Sequence, residues 1–255
     1  MGLGGIHKYR AVTGKLDLGM FRGNVENAVA VADEMLTLEA AAEAWVRTAD
    51  ALLCGLNHAL SNRISSLLVV SPERVERGLG AAEAARVGAE LTKLEELLRL
   101  YRLLERSELA SAEPVRVPDA VADALALFSR HPALRDIECT VAGDADLPAV
   151  LLNPSVLVHA LVFLVCTVAG RLDSNESGAL HVAYTGDLNW VTIAVETRSP
   201  IAEAETAGAP ALDVVRWLLR GAPVTAAESR VPSDGLRLEF RLPTLANQRR
   251  QEGGR

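Results

Sequence analysis

The chain has 255 residues, 49% of them hydrophobic and 23% charged, with a net charge of −7. That is enough to bury one large core or two small ones, and it is an ordinary balance for a globular protein. The acidic balance and the absence of a basic stripe interleaved with aromatics argue against a nucleic-acid partner. Only 4% of the residues are aromatic, so Leu, Val and Ala must build the core.

Residues 1–23 read as an irregular segment, with five glycines before Gly23 among mixed polar residues. No basic region followed by an apolar core marks a secretory signal there. From Asn24 to Val70 the pattern is helical and free of proline, with a possible break near Thr37. Within it, Leu53, Leu56, Leu60, Ile64 and Leu67 fall on one stripe at roughly 100° per residue. His58 points roughly 160° away from the middle of that stripe, and Asn62 and Ser65 share its face. A helix that buries its leucines therefore leaves the imidazole in water, where another protein can reach it.

Ser71-Pro72 stops this pattern, and Gly78 and Gly80 mark a loose connection. A second helix is expected from Ala81 to Arg106, with Leu91, Leu94, Leu97, Leu98, Tyr101 and Leu104 as core. Two long apolar helices across a short turn form an antiparallel hairpin. Such a hairpin cannot bury both broad faces alone, so a homodimer closing a four-helix bundle is expected.

Ser111 to Pro118 contains two prolines and reads as an extended linker. Beyond it the expected elements are a helix from Pro118 to Phe128, a strand from Ile137 to Ala142 and a helix from Pro154 to Gly170. Strands follow from Gly178 to Thr185 and from Trp190 to Thr197, joined at Gly186-Asp187. A helix from Pro210 to Arg220 precedes strands from Val224 to Glu228 and from Leu236 to Leu242. The fold class is α+β: a helical hairpin, then a two-layer α/β sandwich. The domains expected are 24–110 (helical), 111–117 (linker), 118–245 (sandwich) and 246–255 (disordered tail).

The cysteines Cys54, Cys139 and Cys166 are odd in number and far apart. No spacing of Cys and His suggests a metal site, and a reducing cytoplasm fits best. The apolar run Val156 to Ala169 is too short to span a bilayer, so no membrane partner is expected. His159 within that run reads as a hydrogen-bonded, partly buried residue rather than a ligand.

The order of these elements from Ala40 to Pro243 resembles the core of bacterial sensor histidine kinases. That core is a dimerisation and histidine-phosphotransfer hairpin followed by a GHKL-type ATP-binding domain. Asn57-His58-Ala59-Leu60-Ser61-Asn62-Arg63 stands where the family's phosphoacceptor box lies. Leu147-Pro148-Ala149-Val150, followed by Asn153-Pro154 and an apolar helix, resembles the approach to its N-box. Asp234 to Pro243 resembles its closing strand.

The resemblance implies that His58 is the phosphoacceptor and that Asn62 stands where phosphatase-competent kinases orient the attacking water. Asn57, Ser61, Arg63 and Ser65 would contact a receiver domain, the partner the family implies. The nucleotide boxes depart from the family pattern. Phe163 and Thr167 stand at the two N-box asparagine positions, where an oxygen ligand for magnesium is needed. Thr197 replaces the adenine-binding aspartate, and Ala209-Pro210-Ala211-Leu212 replaces a glycine-rich phosphate loop. Ala59 cannot act as the base that usually follows the histidine.

The expectation is therefore a phosphorelay protein without bound cofactor or metal. It would pass a phosphoryl group between His58 and receiver aspartates without binding ATP, like the dimeric histidine phosphotransferases. Two alternatives stand beside it: a diverged kinase that phosphorylates itself from ATP, and a non-catalytic scaffold for receivers.

Overall fold

The computed structural model describes residues 18–68, 78, 80–105, 111–172, 179–197, 208–230 and 235–253. Two units are distinguished, Met1–Thr37 and Leu38–Arg255. Helix α1 runs over Leu18–Leu68 and α2 over Ala81–Leu104. Helical backbone at Leu18–Gly23 corrects the expectation of an irregular start. Gly19 and Gly23 each cost only about 1 kcal/mol in a helix, and Leu18, Met20 and Arg22 are good helix formers. No break occurs at Thr37. The expected stop at Ser71-Pro72 and the helix end at Arg106 lie outside the described residues. Gly78, just before α2, has φ +86°, a left-handed conformation that favours glycine.

The expected linker is partly a strand. Glu113–Val115 (β1) pairs antiparallel with Val150–Leu152 (β3), Val115 opposite Val150. The residue before a proline is driven into extended backbone, and a short two-stranded ladder tolerates the missing N–H of Pro114. At three residues each, these strands carry too little alternation to be read from sequence.

Helix α3 spans Val117–Phe128, with Pro118 in its first turn. Strand β2 covers Glu138–Gly143 and helix α4 Pro154–Ala169. Strands β4 (Ala179–Gly186) and β5 (Trp190–Thr197) form the expected hairpin. Asp187 Oδ1 closes its turn, accepting from the backbone N–H groups of Asn189 at 2.6 Å and Trp190 at 2.9 Å. These bonds hold the Asp187 carboxyl below its usual range. Helix α5 (Gly208–Leu218) and strands β6 (Thr225–Arg230) and β7 (Leu236–Pro243) follow.

The main sheet has the order β2-β4-β5-β7-β6, parallel between β2 and β4 and antiparallel elsewhere. Helix α4 is apolar nearly all round, as a helix buried on every side must be. It lies on β4, β5 and β7, with α3 and α5 beside it and α2 against it. Asn153 caps its start, accepting from the Ser155 N–H at 3.0 Å. The α+β class, with a helical region before a mixed sheet and its helices, is thus the class read from the sequence.

The expected disordered tail is instead helix α6, Leu245–Gly253. Polar contacts rather than an apolar stripe hold it, so its pattern carries no helical signal. Thr244 donates to the Leu188 carbonyl at 2.8 Å, Asn247 donates to the Asn189 carbonyl at 3.0 Å, and Arg250 bonds the Asn189 side chain. Residues 254–255 lie outside the described residues.

Candidate functional site

Leu52 and Leu56 of α1 are fully buried and His58 is exposed; Leu52 lies off the expected stripe, so the buried face is turned toward it and away from Ile64. Leu53, Leu60 and Leu67 are half-buried, and Ile64 keeps 49% of its surface exposed. The Nδ2 of Asn62 lies 3.2 Å from His58 Nε2. With the amide nitrogen donating, Nε2 accepts and the ring proton sits on Nδ1; with the amide turned over, the amide oxygen accepts from Nε2–H. Asn62 is thus the side chain that engages Nε2 of His58.

His58 lines a cavity of about 440 Å³ between α1 and the turn that follows α3. Helix α1 contributes Cys54, Gly55, Ala59, Asn62 and Arg63; the turn contributes Ser129, Arg130, Pro132 and Arg135. Among the described residues no carboxylate lines it. Arg63 is held at its edge by Glu90 of α2, 3.1 Å away, and Glu90 also binds Lys93 at 3.0 Å. The Lys93 bond, with Arg63 beside it, pulls the Glu90 carboxyl below its ordinary value. Arg63 therefore also ties the two helices of the hairpin together. Asn57, Ser61 and Ser65 are exposed and lie outside the cavity, on the open flank of α1.

Gly55, Arg130 and Arg135 were missed by the sequence reading. A glycine inside a helix costs about 1 kcal/mol relative to alanine, and that misplaced glycine was the available signal. A Cβ at Gly55 would stand 1.7 Å from the Arg130 carbonyl oxygen, so only glycine lets the turn approach α1 here. The arginines carried no signal, because their position depends on how α3 ends.

The face of α4 expected to meet a nucleotide is different in character. Phe163 is 5% exposed, and the Thr167 hydroxyl donates to the Phe163 carbonyl at 2.8 Å, within its own helix. Thr197 is fully buried. A hollow of about 300 Å³ here is lined by Arg47 and Thr48 of α1 together with His131, Phe163, Cys166 and Thr167. Burial pushes the His131 imidazole below its ordinary value and the Cys139 and Cys166 thiols up to about 11 and about 12. Among the described residues no group of three His, Cys, Asp or Glu side chains could hold a metal. The side chains at the N-box positions thus do not fit a magnesium ion. Residues 198–200, which follow Thr197 in the second box, lie outside the described residues.

Elsewhere, His159 is fully buried, more than expected. Its Nε2–H donates to the Leu103 carbonyl at 2.7 Å, and its ring packs on Trp45 at 4.5 Å between centroids. It thereby satisfies a carbonyl in the last turn of α2. No helix among the described residues is long and apolar enough to cross a membrane.

No protein-family model and no curated protein sequence matches the chain. Solved structures do resemble it. A histidine kinase from Burkholderia phymatum is 12% identical with TM-score 0.45, over 78% of this chain and 97% of that one. The Acinetobacter baumannii histidine kinase AdeS is 14% identical with TM-score 0.43, over 74% and 98%. The ATP binding domain of PrrB from Mycobacterium tuberculosis is 18% identical with TM-score 0.43, over 53% and 98%.

The likeness is one of fold, and it is to histidine-kinase structures. It corrects the expectation of a phosphotransferase that works without ATP. The structures found are those of kinases, one of them described as an ATP binding domain.

Proposed function

We propose that this chain is a two-component signalling protein built on a histidine-kinase core, with His58 as phosphoacceptor and ATP as the phosphoryl donor. The observation that carries the proposal is the setting of His58. Its Nε2 is engaged by Asn62, and the residue lines a cavity with Arg63, Arg130 and Arg135 in its walls and, among the described residues, no carboxylate. In the transfer, Nε2 attacks the γ-phosphorus, the bond to the leaving ADP oxygen breaks and an N–P bond forms. The Nδ1 proton leaves to water, since Ala59 offers no carboxylate to receive it. Guanidinium groups around the acceptor offset the charge arriving with the phosphoryl group. No step is assigned to a metal ion, because the side chains at the N-box positions do not fit one.

On this reading residues 24–110 are the dimerisation and phosphotransfer domain and 118–245 the ATPase-like domain. A second copy would cover the apolar side chains left exposed on the hairpin, Leu38, Val46, Ile64 and Leu68 on α1 and Leu91 and Leu98 on α2. A receiver domain would take the phosphoryl group from His58, meeting the exposed flank of Asn57, Ser61 and Ser65. The unpaired thiols suit a cytoplasmic location.

A second reading is a scaffold that binds receivers without chemistry. The apolar Phe163, the internally bonded Thr167 and the buried Thr197 favour it. Calorimetric titration with MgATP separates the two. Saturable heat supports the kinase. No heat, together with receiver binding that survives His58→Ala, establishes the scaffold and removes the kinase.

A further inference from the structure

We propose that the turn between α3 and β2 is a phosphoryl clamp. Arg130 and Arg135, supplied by the sandwich, would hold the oxygens of a phosphoryl group carried on Nε2 of His58. The proposal rests on His58 being the phosphoacceptor, and it adds a specific binding role to the sandwich that does not depend on nucleotide.

The close approach comes first. The Arg130 backbone sits against Gly55, one turn before His58, where any other residue would collide with the Arg130 carbonyl oxygen at 1.7 Å. The chain places glycine where helix propensity alone favours alanine. The turn is thereby held against α1, at the cavity that His58 lines.

The charge comes second. Arg63 spends its guanidinium on Glu90 at 3.1 Å. Arg130 has no ion pair among the described residues, and its Nε is buried without a hydrogen-bond partner. Arg135 has only the exposed Asp136, 3.8 Å away. Buried donors in folded proteins are nearly always satisfied, so the stranded Arg130 Nε is a position that a turn of its side chain toward an acceptor in the cavity would relieve. The titratable lining residues are Cys54, His58, Arg63, Arg130 and Arg135, and the neighbouring acids, Glu90 on Arg63 and the exposed Asp136 on Arg135, stand outside that lining. A tetrahedral dianion matches guanidinium geometry by paired N–H···O bonds.

The size comes third. A cavity of about 440 Å³ takes a phosphoryl group and leaves room for water or for the group that delivers it. Asn62 already contacts Nε2. Loading His58 would therefore add to the contact already made between the turn and α1, which links the state of the histidine to the docking of the sandwich.

The test uses the full chain phosphorylated with potassium phosphoramidate. Its P–N bond breaks, ammonia leaves and the phosphoryl group passes to the imidazole, so no ATP is needed. Phosphorus NMR then follows the phosphohistidine signal with pH. Removing a guanidinium from within about 4–6 Å should raise the second pKa of the phosphoryl group by about one unit. Arg130→Ala is expected to do this, Arg130→Lys to keep most of the wild-type titration, and Arg130→Ala with Arg135→Ala to raise it further.

Gly55→Ala should mimic Arg130→Ala by pushing the turn away; should it fail to fold, the Arg130 variants still decide. A phosphohistidine at position 58 that titrates identically in wild type and in the double variant overturns the clamp alone. Phosphoryl label of equal amount in His58→Ala, or none on wild type, overturns the phosphoacceptor reading and the clamp with it.

Discussion

Helix α1 meets the sandwich in two places, and the two contacts are opposites. Around Trp45 the contact is dry: the indole packs on His159, whose Nε2–H is committed to the Leu103 carbonyl. Around Gly55 and His58 it is wet: backbone approaches backbone, and the side chains surround a charged cavity. The same residue type therefore serves two ends. A histidine among aliphatic neighbours becomes a structural hydrogen-bond donor, whereas a histidine on the polar flank keeps its reactive nitrogen in reach. The dry contact anchors the helix, so the wet one can hold unneutralised charge.

The widest contrast should appear in thiol chemistry. Burial pushes Cys139 up to about 11 and Cys166 up to about 12, which leaves almost no thiolate at pH 8, while Cys54 is exposed beside His58. Maleimide followed by mass spectrometry should modify Cys54 in the native protein and the other two only in denaturant. Native labelling of Cys166 at a similar rate would show that the α4 face is open.

On stability, Trp45→Ala should cost most, about 3–5 kcal/mol in urea unfolding, because it empties the dry contact. His159→Leu keeps the volume but strands the Leu103 carbonyl, a loss of about 1–3 kcal/mol. If His159→Leu were instead neutral, the hydrogen bond would not matter to the anchor.

The smallest effect concerns pH. Burial holds the His131 pKa below its ordinary value of 6.5, so the folded protein disfavours the protonated form. Its contribution is complete above the unfolded value and is lost as the pH falls through 6.5 toward the lower folded one. Melting temperature should therefore decline between pH 7 and pH 5, and His131→Gln should flatten that decline. An unchanged slope would mean that other groups govern it.

Much of this was legible from residue order, for identifiable reasons. The periodicity of α1 put Leu56 inside and His58 outside, because burial on a single helix follows the 100° step, but it also put Ile64 inside and left Leu52 off the stripe. The β4–β5 hairpin followed from Gly186-Asp187. The features that escaped depend on distant partners. β1 and β3 are three residues long and exist only by pairing with each other, and α6 is held by Asn189, far away in sequence. Arg130 reaches the cavity only because α3 ends against Gly55. The nucleotide boxes could be seen to have changed, but their changes did not establish a protein independent of ATP.

The account stands or falls on where a phosphoryl group goes. Incubating the full chain with magnesium and γ-labelled ATP, then separating wild type from His58→Ala, tests this directly. The account predicts acid-labile label on the wild type and none on His58→Ala, with both proteins equally folded. Label that persists without the imidazole, or a wild type that never takes any, would contradict it.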